Sequence, residues 1–239
     1  MRGNYITVDG VSSRTLGLFC KQLPMFPVAV QSFNTVSVGG RLDDLYQAAR
    51  HYNDIQVDID AVLIGFDIDP VIKFFTDGNK LVFSNIPDRY AVIRQLVAID
   101  QQRVGNGALE LKITLKCAPF KYRLENEATT YPFGSSPVYF KTKGTIYAEP
   151  LIVAKGATDG FTMSVNGVVI STTGLTGDIY FDIPNRVVYK LVDGVKTVVQ
   201  ENTAGNIWDL MLIPSDTEFN ELIFTNATSI EVTKNERWL

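Results

Sequence analysis

A chain of 239 residues with 46% hydrophobic and 20% charged residues can bury one large core or two moderate ones, which excludes a disordered polymer. The formal charge is −4 and the 22 Lys and Arg are scattered without a basic run, which argues against sequence-specific nucleic-acid binding. Cys20 and Cys117 are too few and too far apart for a disulfide scaffold, Arg2, Asp9 and Arg14 interrupt any signal-like apolar stretch, and no membrane span or anchor is expected.

In chain order, Leu42 to Tyr52 is the first candidate element, a weak helix in which Leu42, Leu45 and Ala49 recur at helical spacing, although a polar loop reads the same way. Next, Ile55, Val57 and Ile59 alternate with Asp54, Gln56, Asp58 and Asp60, the pattern of a half-buried strand with an acidic outer face. A helix is signalled where Asp69 can cap the first turn, Pro70 fits it, Val71, Ile72, Phe74 and Phe75 supply an apolar face, and Asp77-Gly78-Asn79 ends it. The clearest strand interleaves Leu109, Leu111, Ile113, Leu115 and Cys117 with Glu110, Lys112, Thr114 and Lys116, so Cys117 is expected to act as a small buried apolar group.

Polar and turn-forming residues between Glu125 and Pro137 interrupt this alternation, placing a boundary between a first domain over 1–130 and a second over 131–239. Strands are expected at Ile146 to Val153, Ile179 to Asp182, Glu221 to Phe224 and Ser229 to Thr233. Asn166-Gly167 and Asp193-Gly194 mark hairpin turns, because both pairs tolerate the positive φ of a type I′ turn. Short strands at this spacing with no helices between them predict an antiparallel sandwich.

Candidate chemistry is sparse. The single histidine, His51, follows Arg50 in a polar stretch and lacks a nucleophile signature beside it, so it reads as a solvated or interface residue. Three Cys and His residues in all argue against a zinc site, and Asp67, Asp69, Asp43 and Asp44 lack the further ligands of a calcium loop; no cofactor is expected. Trp208, among Ile207, Leu210 and Leu212, is expected to be buried, with exposure favouring a sugar-stacking role instead. The closing Arg237-Trp238-Leu239 is expected to dock, with the last strand or terminus returning to the first domain.

Taken together, the segments Ile6 to Leu18, Val38 to Tyr46, Ile68 to Phe75, Lys80 to Tyr90, Gly107 to Tyr122, Gly144 to Gly156, Val165 to Val168, Ile179 to Tyr189 and Glu236 to Leu239 resemble, in order and spacing, the distal tail protein family of siphophages. Three departures stand out. Leu42-Asp43-Asp44 replaces the usual Asp-Gly pair, Phe75 stands near a common Trp, and the pre-terminal proline is absent.

The resemblance implies a mainly β protein. Its N-terminal β-sandwich-like domain would carry one α-helix and an extended hairpin arm, and its C-terminal domain would be a galectin-like antiparallel β-sandwich. It further implies a structural, non-enzymatic ring, a hexamer in a single or double layer, at the virion tail tip, assembled in the host cytoplasm. DNA would pass through the centre. The partners implied are the tail tube protein, a tail-associated hub protein, and receptor-binding or baseplate proteins.

Within that picture Val28 to Val38 and Ile55 to Phe66 are expected to be the two strands of such an arm or its base, joined through Gly39 to Asp54, with Val38, Gly40, Arg41, Leu45 and Tyr46 at the subunit junction. Asp54, Asp58 and Asp60 are candidates for the lining of the lumen, where acids repel phosphate, or for a contact with the neighbouring tail components. The alternative is a carbohydrate-binding adhesin that stacks a sugar on Trp208.

Overall fold

The computed structural model describes residues 4–22, 25–40 and 42–239. The chain forms two compact units, the first ending at Leu124 and also taking in Leu239, the second spanning Glu125–Trp238. It is mainly β, with one α-helix among the described residues.

In the first unit β1 (Ile6–Val8), β2 (Val11–Ser12), β3 (Leu18–Cys20), β4 (Gln31–Val36), β5 (Leu45–Tyr52) and β6 (Ile55–Ile64) precede helix α1 (Asp69–Thr76); β7 (Lys80–Phe83), β8 (Ile86–Val104) and β9 (Ala108–Arg123) follow it. Most of these join one antiparallel sheet in the order β2-β1-β7-β8-β9-β6-β3, while β4 and β5 pair only with each other. Strand β9 lies between β6 and β8, so the inward face of its alternation is covered on all sides. Leu111, Ile113, Leu115 and Cys117 are fully buried, and each such aliphatic side chain contributes about 1.5–3 kcal/mol. Burial pushes the Cys117 thiol up to about 12, with the Asp54 charge adding to it, and burial alone pushes Cys20 up to about 11. Both thiols therefore stay protonated and unreactive near neutral pH.

Helix α1 contributes Val71 and Phe75 to this core, one turn apart. Ile72, expected on the same face, is exposed instead, because it lies about a quarter turn round from Val71. The expected cap is also corrected. Asp69 is the first helical residue, and the carboxylate that accepts its backbone N–H, at 3.2 Å, belongs to Asp67.

Two further expectations are overturned here. Leu42 to Tyr52 is not helical; its latter part is β5, paired antiparallel with β4 from Val36↔Leu45 to Gln31↔Tyr52 across one bulge. An isolated helix of that length is marginal in water, whereas pairing satisfies the backbone of both strands. The strands proposed for the arm do not pair with each other either. Ile55 to Ile64 runs the length of β9, from Ile55↔Cys117 to Ile64↔Ala108, and the projecting ribbon is β4 with β5. The alternation of β6 was a core signal, and a core strand cannot also be an arm.

The second unit contains β10 (Thr129–Pro132), β11 (Val138–Phe140), β12 (Leu151–Ala157), β13 (Thr162–Val165), β14 (Val168–Thr172), β15 (Gly177–Asp182), β16 (Val187–Val192), β17 (Val195–Val198), β18 (Thr203–Ala204), β19 (Asn220–Thr225) and β20 (Ser229–Thr233). They form two antiparallel sheets, β10-β20-β12-β15-β16-β17 and β11-β19-β13-β14-β18. Ile152, Ile179, Phe181, Val188 and Ile230 from the first sheet meet Val138, Met163, Ile170, Leu222 and Phe224 from the second in a single core, which makes the unit a sandwich.

Both predicted hairpin turns form, with φ of +50° and +85° at Asn166 and Gly167 and +51° and +77° at Asp193 and Gly194. The strand expected from Ile146 begins only at Leu151, because Pro150 has no N–H to give a ladder; Ala148 makes an isolated bridge to Leu212.

Candidate assembly surfaces and side-chain clusters

The β4–β5 ribbon begins where the chain leaves the first core. Ala29 and Phe26 still pack inward, Phe26 lying 4.3 Å from the Phe83 ring, and Tyr52 meets Phe120 edge-on at 5.3 Å. The N–H of Asn53 donates to the Val30 carbonyl at 3.2 Å and Ser32 donates to Asn53 Oδ1 at 2.7 Å, which fastens the base of the ribbon.

Beyond that base the apolar side chains are uncovered. Val30 is 67% exposed and Phe33 55%, with Val28, Val36, Val38 and Leu45 also exposed. The connection at the far end is closed by Ser37 donating to Asp44 at 2.6 Å and by Gly40 at φ +87°, and Leu42 stands fully exposed there. Of the residues predicted at a junction, Val38, Gly40 and Leu45 are on this ribbon and Tyr46 is a strand residue of β5; Arg41 lies outside the described residues. His51 is exposed on the same strand. Two strands with apolar side chains open to water are marginal by themselves, so this surface asks for a partner.

A second uncovered feature is the far half of β8. Strand β7 pairs with β8 from Phe83↔Ile86 to Lys80↔Val92, after which β8 continues beside β9 to Val104↔Ala108. From Arg94 onward the opposite edge of β8 has no hydrogen-bonded strand among the described residues. Where Arg94 emerges, Phe75, Thr76, Gly78, Ile93, Gln95 and Leu96 complete the walls of a shallow cavity of about 240 Å³. The far side of the sheet is differently finished. There the pairing of β3 with β6 continues by one residue, Lys21 N–H donating to the Asp60 carbonyl at 2.8 Å.

Asp54, Asp58 and Asp60 do share the outer side of β6, as the alternation requires, but lysines from β9 stand beside them. Lys116 lies 3.6 Å from Asp54, and Asp60 is opposite Lys112 in register. Thr114 donates to Asp58 at 2.7 Å and Gln56 donates at 3.2 Å, and these two bonds hold the Asp58 carboxyl below the usual carboxylate range. The polar face of β9 was legible in sequence; that it would be laid against β6, matching base to acid, was not.

In the second unit Trp208 is 43% exposed, which corrects the expectation of burial. It is the middle residue of a short 3-10 turn, Ile207–Asp209, whose neighbours Ile207 and Leu210 take the core positions and turn the indole outward. The Arg186 guanidinium lies 5.6 Å from its ring centroid and donates to the Trp208 carbonyl at 3.2 Å.

Arg186 also donates to Glu149 Oε1 at 2.7 Å, and the other oxygen of Glu149 accepts from Arg237 at 3.1 Å. Arg237 in turn donates from Nε to the Tyr147 carbonyl at 2.9 Å. Glu149, Arg186 and Trp208 come from separate segments of the chain, so no spacing in the sequence marks this cluster. Among the described residues no cluster of His, Cys, Asp and Glu could hold a metal ion.

The fold is similar to that of a hub protein of a phage adsorption apparatus. The crystal structure is that of Dit (gp 19.1) of phage SPP1, described as a paradigm of the hub adsorption apparatus in phages infecting Gram-positive bacteria. It superposes with a TM-score of 0.72 over 99% of each chain at 16% identity. No family model matches the sequence, and no curated protein matches it by sequence.

The Glu149 cluster yields a stability prediction. Replacing Glu149 with Ala leaves two guanidinium groups, one of them buried, without their shared carboxylate, at a cost of roughly 2–4 kcal/mol. Urea unfolding of the full chain measures it, with Glu149→Gln falling between the two. A loss below about 0.5 kcal/mol would mean that the arginines find other partners.

Proposed function

We propose that this chain is a distal tail protein, a structural ring subunit at the tail tip of a long-tailed bacteriophage. In this reading it assembles as a hexamer around an open axis through which DNA passes and joins the tail tube to hub and host-recognition proteins. The observation that carries the proposal is the exposed apolar ribbon of β4 and β5, which a lone subunit leaves unburied. The likeness to the SPP1 hub protein over both units supports it. A closed ring needs two different, complementary faces on each copy, and a ribbon projecting from one side supplies one of them. The role is structural: neither the sequence motifs nor the lone exposed His51 offers a catalytic arrangement.

Negative-stain imaging and light scattering of the purified chain should give rings. Val30→Asp together with Phe33→Asp should keep the far-UV spectrum and thermal unfolding of the wild type while reducing the scattering mass to that of a monomer. A wild-type protein that remains monomeric at high concentration contradicts the reading.

Within it, Asp54, Asp58 and Asp60 line the channel. With Glu110 and Asp100 on neighbouring strands against Lys21, Lys112 and Lys116, that face carries five acids and three lysines, a net charge of −2, which keeps it repulsive to phosphate. Changing Asp58 and Asp60 to lysine should leave ring assembly intact and slow DNA ejection from phage carrying the variant. Unaltered ejection kinetics at low salt would remove the acids from this role.

A second reading has one observation behind it. An exposed Trp208 flanked by Arg186 and Glu149 has the ingredients of a sugar platform, an aromatic face with charged hydrogen-bonding groups at its rim. In that reading the second unit is an adhesin for cell-wall glycans, and a glycan array probed with wild type and Trp208→Ala would show binding that the substitution abolishes. Equal, background-level signals from both leave the cluster a structural clamp.

A further inference from the structure

We propose that Asn106, at the tip of the β8–β9 hairpin, is a site of spontaneous covalent modification, where the side-chain amide is lost through a cyclic imide formed with the backbone of Gly107 and water leaves a carboxylate in its place. The modification needs no partner and stands whether or not copies of the chain assemble.

The chemistry requires an asparagine whose carboxamide is free to turn and a following residue whose backbone nitrogen can reach it. Two pairs in the chain have the right sequence, Asn106-Gly107 and Asn166-Gly167. Glycine suits the second place because it has no side chain to shield the nitrogen and the widest backbone freedom. The fold then separates the two pairs. Asn166 is locked: its Nδ2 donates to the Met211 carbonyl at 3.1 Å and to Asn220 Oδ1 at 2.9 Å, and its Oδ1 accepts the Glu221 N–H at 2.9 Å. Its carboxamide cannot swing toward Gly167 until all of these are given up. Asn106 is exposed, as are Gly105 and Gly107 on either side, and its carboxamide has no hydrogen bond among the described residues. A Cβ added at Gly107 would meet nothing within 4 Å, so the approach to that residue is open.

In the first step the Gly107 nitrogen attacks Cγ of Asn106. An N–Cγ bond forms, the Cγ–Nδ2 bond breaks, and Nδ2 leaves as ammonia with the proton that the backbone nitrogen gave up, closing the imide. Water then opens the ring at one of its two carbonyls. Opening at Cγ gives aspartate, and opening at the Asn106 backbone carbonyl gives isoaspartate, in which the main chain runs through the side chain and gains a methylene. Water enters and ammonia leaves with no change of oxidation state, so neither cofactor nor enzyme is needed. Hydroxide takes the amide proton of Gly107, so the step quickens as pH rises above neutrality.

Either product makes the formal charge of −4 one unit more negative, three residues from Arg103, whose Nε donates to the Gly105 carbonyl at 3.3 Å and whose guanidinium lies 4.9 Å from the Phe66 ring centroid. Isoaspartate does more. It lengthens the short connection between the paired residues Val104 and Ala108 and displaces Gly107, whose carbonyl accepts the Gly65 N–H at 2.8 Å. Ageing therefore changes the end of the hairpin in charge and in geometry while the core below it stays as it was.

The test holds the full chain in warm, mildly alkaline buffer and follows the tryptic peptides 104–112 and 156–186 by mass spectrometry, with fragmentation to read Asn106 and Asn166 themselves. Amide-to-acid conversion at Asn106 should run about a hundredfold faster than at Asn166, the factor expected when several hydrogen bonds of ordinary net strength have to be broken first. In urea the two rates should become comparable. Asn106→Gln should remove the acidic species that accumulates on anion exchange, without altering thermal unfolding. No conversion at Asn106, equal rates at the two asparagines in the folded chain, or an acidic species that survives Asn106→Gln overturns the assignment. A rate gap that persists in urea would trace to neighbouring residues in the sequence and not to the fold, and overturns it as well.

Discussion

The first unit depends on β9 being clasped between β6 and β8. Ten residues of β6 and the long run of β8 are registered against it, so the period-two pattern of one strand fixes which face of three strands is wet. A slip of a single residue would put Leu111, Ile113 and Leu115 into solvent and bring Lys112, Thr114 and Lys116 into the core. The same register lays Lys116 by Asp54 and Thr114 on Asp58, so the charge of the outer face follows from the packing of the inner one.

The second unit is closed in a different way. Its two sheets supply a core of their own, and its loops are tied by side chains more than by strands: Asn166 donates to Met211 and Asn220, while Asn220 holds both the N–H and the carbonyl of Ile213. Glu149 does the same for Arg186 and Arg237. Such networks leave the rims of the sandwich rigid, which suits a unit that presents loops rather than a ribbon.

What could be read from the sequence was what depends on local pattern. The strand from Leu109 to Cys117, the turns at Asn166-Gly167 and Asp193-Gly194 and the strand Ser229 to Thr233 all announce themselves within a few residues, because period and turn chemistry are local properties. The ribbon was missed in part because Leu45 to Tyr52 has neither alternation nor a hairpin dipeptide, and its strand character comes from a partner nine or more residues away. Trp208 was misplaced because apolar neighbours signal a core without saying which of them a tight turn will eject. The mixed charge of the β6 face and the Arg186–Glu149–Arg237 cluster were invisible for a further reason: both are made by residues far apart in the chain, and neither leaves any trace in spacing.

Strand β8 is 19 residues long, roughly 60 Å at about 3.3 Å per residue, and for nearly all of that length its hydrogen bonds run to β9. Tension applied along such a strand loads the whole ladder in shear, so that no bond yields before its neighbours, whereas a sideways pull would open the bonds one after another. Anything grasping β8 lengthwise therefore meets a resistance that is shared across the sheet instead of being concentrated at one clasp.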